Sequence, residues 1–144
     1  VTAEYNAGID KWLSQVEADL KAVARQSAYT LAFDVVTSTP VDTGFLRGSW
    51  QPSIGDIPPV KDGVSLDPGG ALAMADFAVQ IEALELGETI YYTNSCVYAR
   101  RIEYGFVGTD SLGRNYNQAG RFYVMNNVKR WPAIVEATAK GLAE

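Results

Sequence analysis

Along the first forty residues Ile9, Leu13, Val16, Leu20, Val23, Ser27, Leu31 and Val35 recur at steps of three and four. That spacing places them on one face of an α-helix. Asp10, Glu17, Asp19, Lys21 and Arg25 lie mostly off this seam, and Asn6 is suited to cap its start. The pattern predicts one long helix over 6–38. It stops there because Pro40 disfavours the α conformation at Thr39 and has no amide proton to continue the ladder.

Beyond Pro40 the pattern shortens. Val41-Asp42-Thr43-Gly44 reads as a turn, and the second half of Phe45–Gln51 as a strand ending before Gly55. The Asp62-Gly63 pair between apolar residues predicts a short hairpin over Val60–Leu66. Leu72, Ala75, Val79 and Ala83 predict the shared face of a helix over 71–86, closed by Gly87. Glu88–Thr93 is β-branched and aromatic and reads as a strand, completing a sheet with its insertion over 44–95. A short helix over 97–104 ends at Gly105, and 105–116 reads as a loop. Phe122, Met125, Val128, Pro132, Val135, Ala139 and Leu142 restore helical spacing and predict a C-terminal helix over 117–143, kinked at Pro132. The result is a single α+β domain over 1–144. A small antiparallel sheet of about three to four strands is packed by the long N-terminal helix and the C-terminal helix.

Composition removes most chemistry. The 144 residues contain no histidine and one cysteine, Cys96. The commonest general base, the commonest zinc ligand and any intrachain disulfide or multi-cysteine metal site are thereby excluded. The net charge of −5 argues against a general nucleic-acid binder. No apolar run approaches the roughly 18 residues of a membrane span, and no basic start leads into an apolar core, so synthesis in a reducing cytoplasm is expected. No glycine-rich phosphate loop is present, and neither cofactor nor metal is expected. Asp42-Thr43-Gly44 is the triplet of aspartic proteases, which gives an enzymatic alternative: a protease acting as a homodimer. Here, however, a helix end and Pro40 lead into the aspartate instead of an apolar strand, and a local turn role is the simpler reading. Cys96 has no histidine to activate it and reads as a structural thiol.

What remains is suited to contact. Tyr98-Ala99-Arg100-Arg101-Ile102-Glu103-Tyr104 gathers the aromatics and arginines that protein interfaces favour. Charge is also ordered along the chain. Asp62, Asp67, Asp76, Glu82, Glu85 and Glu88 form a stretch without lysine or arginine; Arg100, Arg101, Arg114, Arg121, Lys129 and Arg130 follow, against Glu103 and Asp110. The spacing of Glu82, Glu85 and Glu88 also suits a solvated helix edge. Two such blocks either neutralise each other within one fold or let one edge of a subunit meet a different edge of its neighbour.

Two separated motifs then stand in order. Thr39-Pro40-Val41-Asp42-Thr43-Gly44-Phe45-Leu46-Arg47-Gly48-Ser49-Trp50 follows the long helix, and Asn94 leads to Tyr98-Ala99-Arg100-Arg101-Ile102-Glu103-Tyr104-Gly105 before a last helix. This order resembles the tail-completion or head–tail joining (neck) proteins of long-tailed bacteriophages. Over most of the chain it matches their "Pro-Val-Asp-Thr-Gly-x-Leu-Arg-x-Ser" followed by "Asn…Tyr-Ala…Glu-Tyr-Gly". It departs from them at Gly105–Asn115, at Gly120-Arg121-Phe122 and in the length of Asp56–Leu86. The resemblance implies a non-enzymatic α+β virion subunit, made in the bacterial cytoplasm. It implies a ring, sixfold by the same resemblance, between the head connector or stopper and the tail terminator or tail tube. DNA is then only passing cargo and no membrane is involved. A tail terminator capping the tube is the alternative role. Asp42, Arg47, Trp50, Tyr98, Arg100, Arg101, Glu103, Tyr104, Arg114 and Arg121 become the candidate interface. An Arg47–Glu103 pair is expected to fix helix to sheet or subunit to subunit, and the Asp62–Glu88 acids are a candidate lumen wall that DNA would slide past.

Overall fold

A computed structural model describes residues 2–144. The N-terminal seam forms one unbroken helix, α1 (Thr2–Ser38). It begins four residues before the expected 6, so Asn6 lies inside the helix and does not cap it. Its end falls where Pro40 requires: the Thr39 amide donates to the Val35 carbonyl at 3.1 Å, and the Thr39 hydroxyl does so at 2.7 Å. There follow α2 (Phe45–Gly48), β1 (Trp50–Ile54), α3 (Ala71–Ala83), β2 (Ile90–Asn94) and α4 (Ala99–Tyr104). The chain ends with β3 (Gly105–Thr109), β4 (Asn115–Ala119), α5 (Met125–Val128) and α6 (Trp131–Ala143).

The class is α+β, with the strands divided between two antiparallel pairs. In the first, β1 and β2 run from Trp50 opposite Asn94 to Ile54 opposite Ile90. In the second, Gly105 faces Ala119 and Thr109 faces Asn115. The segment expected as a loop over 105–116 is therefore the first strand and turn of a hairpin. Weak alternation hides it in the sequence: Phe106, Gly108, Tyr116 and Gln118 are half-buried while Val107, Thr109, Asn115, Asn117 and Ala119 are exposed. The expected hairpin over Val60–Leu66 does not form; that stretch is irregular, with Gly63 at φ +62°.

The predicted C-terminal helix over 117–143 is also three elements, the end of β4, then α5 and α6. Pro132 sits in the first turn of α6, where a missing amide proton costs nothing, so it starts a helix and kinks none. On α3 the buried face is Ala73, Phe77 and Ile81, while Leu72, Ala75 and Val79 face outward. Alanines all around this helix blur which side is apolar.

The core lies where α1 crosses α3 over the first sheet. Ala28, Ala32, Val35 and Val36 meet Leu46, Trp50, Ala73, Phe77, Ile81, Cys96 and Tyr123. Phe77 and Tyr92 pack edge to face at 4.7 Å, and the Tyr92 hydroxyl donates to the Ala28 carbonyl. α6 packs against α1 from the other side. Only the C-terminal half of the α1 seam is covered this way; Ile9, Leu13 and Leu20 are exposed.

Candidate functional site

The first motif is built around the end of α1. The last carbonyls of a helix lack partners within it. Arg47 supplies one and ties the end to its surroundings: Nη2 donates to Thr37 O (2.9 Å) in the last turn and to Thr39 O (2.8 Å) just past it, and Nη1 to Pro68 O (2.6 Å). Trp50, 3 % exposed, lies beneath and donates its indole N–H to the Thr39 hydroxyl at 2.9 Å. Gly44 allows the turn into α2, with φ +92° and so little room that an added Cβ would stand 2.5 Å from the Pro68 nitrogen.

The second motif is pinned onto the first by Asn94. Its Nδ2 donates to Leu46 O at 2.8 Å, and its Oδ1 accepts from the Cys96 amide at 3.0 Å. Tyr98 then stacks obliquely on Phe45 at 6.4 Å. Between the segments lies a pocket of about 220 Å³, lined by residues 40–46 with Tyr98, Ile102 and Arg121. Loss of water around the Tyr98 phenol raises its pKa, and Cys96 and Asp42 add to the rise. A phenol, a carboxylate and a guanidinium thus frame a partly apolar floor. Such a mix suits a protein side chain or segment as occupant.

Of the candidate interface residues, Asp42, Tyr98 and Arg121 meet at this pocket. Arg100 and Tyr104 are exposed on α4, Tyr104 packing edge to face with Phe122 at 6.3 Å. Arg101 lies over the Phe106 ring at 3.9 Å and holds the hairpin to α4. Arg114 is bound to Asp110 at 2.6 Å within the hairpin turn. Two expectations change. Trp50 is a core residue, and the Arg47–Glu103 pair does not form. Glu103, 5 % exposed, instead accepts from the Val124 and Met125 amides at 2.9 Å each. A carboxylate accepts two amides at a helix start as readily as it pairs with a guanidinium, and Arg47 is occupied by α1.

The acidic stretch is equally divided in its use. Asp67 is buried and accepts from the Ala73 amide at 2.9 Å, capping α3, so it cannot line a lumen. Asp76 reaches Lys61 at 3.4 Å. Glu85 meets Lys21 at 3.0 Å and Arg25 at 3.4 Å, and the Lys21 hydrogen bond and charge hold it below its ordinary pKa. Glu88 accepts from the Glu85 amide at 2.8 Å. Asp62 and Glu82 are exposed. Among the described residues no ion pair joins the acidic block to the basic one.

Phe45, Ile102 and Asn94 are the contributors that the sequence reading passed over as site residues. Asn94 alone carried a signal, a polar residue ending a strand immediately before the second motif. Lys61, which donates to the Gly48 and Trp50 carbonyls at 3.1 and 3.2 Å, carried none. Among the described residues no three metal-ligating side chains converge, and no helix is long and apolar enough to cross a membrane. Comparison with protein-family models, with curated proteins and with solved structures gives no significant match.

Proposed function

We propose that the chain is a structural subunit of a bacteriophage neck, forming a ring that joins the head connector to the tail. The observation that carries this reading is the junction of the two motifs. Segments some fifty residues apart, those by which the chain resembles tail-completion proteins, are tied by Asn94 and share one pocket. They hold a turn and a helix in register, with Arg100, Tyr104 and Arg121 left at the surface. Arg100 and Arg121 have no ion-pair partner among the described residues, and Asp62 and Glu82 likewise. Opposite charges left free on separate segments suit a head-to-tail contact between copies. The partners of this reading are further copies, the head connector or stopper, and the tail terminator or tube, with DNA as passing cargo.

Electron microscopy and native mass of the purified chain test it. A closed ring, six copies by the resemblance, whose mass falls as salt is raised is the expected result. A single chain at every salt and protein concentration overturns it. Asp42→Asn separates this reading from the protease: the ring should survive the substitution, whereas loss of a measured peptidase activity would establish the enzyme.

A further inference from the structure

α1 leaves the body of the molecule about half-way along its length. From Thr2 to Leu20 every side chain except the half-buried Val16 is exposed. Yet Tyr5, Ile9, Trp12, Leu13, Val16 and Leu20 keep to one side of the helix, within a stripe of about 100°. Trp12 is 64 % exposed and Leu20 55 %. From Ser27 onward this seam is filled by the core. From Leu20 back to Thr2 it continues for about 27 Å as an exposed arm, whose inner end, at Ser14, Glu17 and Ala18, borders Glu85 and Leu86.

A surface of matching character lies on the same molecule. Ala28 and Leu31 of α1, Ile90 and Tyr92 of β2, and Val128 and Trp131 at the α5–α6 junction line an apolar groove of about 300 Å³. The arm cannot fill the groove of its own molecule. Ala28 and Leu31 belong to the same unbroken helix, which holds Trp12 about 24 Å along the axis from Ala28. The occupant therefore comes from outside. Charge favours another arm: Glu4, Asp10, Glu17 and Asp19 stand against Lys11 alone between Thr2 and Leu20, whereas Lys129 and Arg130 flank the groove. Arg130 contacts Asp34 at 3.4 Å with its side chain still 58 % exposed.

We propose that the α1 arm of one copy docks in the Ala28–Trp131 groove of the next. The contact is heterologous, each copy giving an arm and receiving one, so it builds a ring or an open chain according to its rotation. It rests on the self-assembly in the reading above and is independent of the phage setting.

Complementation tests it with full-length protein. Ile9→Asp with Trp12→Asp disables the arm, and Val128→Asp, at a half-exposed position, disables the groove. In light scattering, wild type should exceed the mass of one chain, and each variant alone should fall to one chain. An equimolar mixture of the two variants should recover the mass of two chains, since one intact arm then meets one intact groove. That recovery also shows both variants to be folded. Wild-type-like assembly of Val128→Asp, or a mixture that stays at one chain, overturns the proposal. Rings that neither variant disturbs overturn it while leaving the neck reading in place. Open chains that both variants abolish would support it and count against the ring.

Discussion

Glu103 shows how a single buried charge is put to use. Its two oxygens take the Val124 and Met125 amides, while its backbone carbonyl accepts from Phe122 at 3.0 Å. One residue thereby fixes the chain between the hairpin and α5. Glu103→Ala strands two part-buried amides and should cost about 2 kcal/mol in urea unfolding. Ser27 is the opposite case: its hydroxyl is buried with no partner. Ser27→Ala should leave stability unchanged or raise it by about 1 kcal/mol, measured the same way. Two tyrosines make the fold sensitive to alkali. Burial raises Tyr92, and burial with the nearby Glu103 and Cys96 pushes Tyr123 up to about 12. An unfolded tyrosine ionises near pH 10, so between these values the folded chain holds protons that the unfolded chain has lost. The contribution of these two tyrosines should be level below about pH 10 and fall above it. Tyr123→Phe should shallow that fall in thermal melts.

At the scale of elements, the long helix was legible from its single period and β2 from its β-branched and aromatic content, while β1, with Ile54 as its one β-branched residue, was placed by the turns on either side of it. The second hairpin was not. Its strands carry glycines, asparagines and one aromatic each, and its half-buried side rests on Arg101 over Phe106, a contact with no local signature. The pocket was legible in part. Both motifs stood out, and Asn94 was marked by its place at the strand end, but Lys61 holds the Gly48 and Trp50 carbonyls from more than ten residues away and shows no pattern. The hairpin turn has an acid-sensitive lock. Asp110 accepts from the Arg114 amide at 2.8 Å, the Arg114 guanidinium at 2.6 Å, the Leu112 amide at 2.9 Å and the Tyr116 hydroxyl at 3.2 Å. The Arg114 amide is the main cause of its lowered pKa. A depressed carboxylate contributes stability above its unfolded value of about 3.9 and loses it as pH falls through the folded one. The Leu112 and Arg114 amide resonances should therefore move only below about pH 4, and Asp110→Asn should abolish that transition.

The whole molecule divides into a packed body and an arm that are one helix. Isolated helices of this length are marginal in water, so the arm draws little support from its own backbone. In amide exchange of the single chain, residues 27–36 should be the last to exchange and residues 2–20 among the first. Equal protection along α1 would contradict this division. The continuity of α1 also has a mechanical consequence. No loop interrupts Thr2–Ser38, so while the arm is helical, tension on it runs along the helix axis into the body. There it meets the packing of α1 on α3 and α6 and the Arg47 guanidinium that clamps the far end. Sliding α1 out would break those contacts together, whereas a hinged tether would first pay out slack. An arm docked on a neighbouring copy would therefore pull directly on the core.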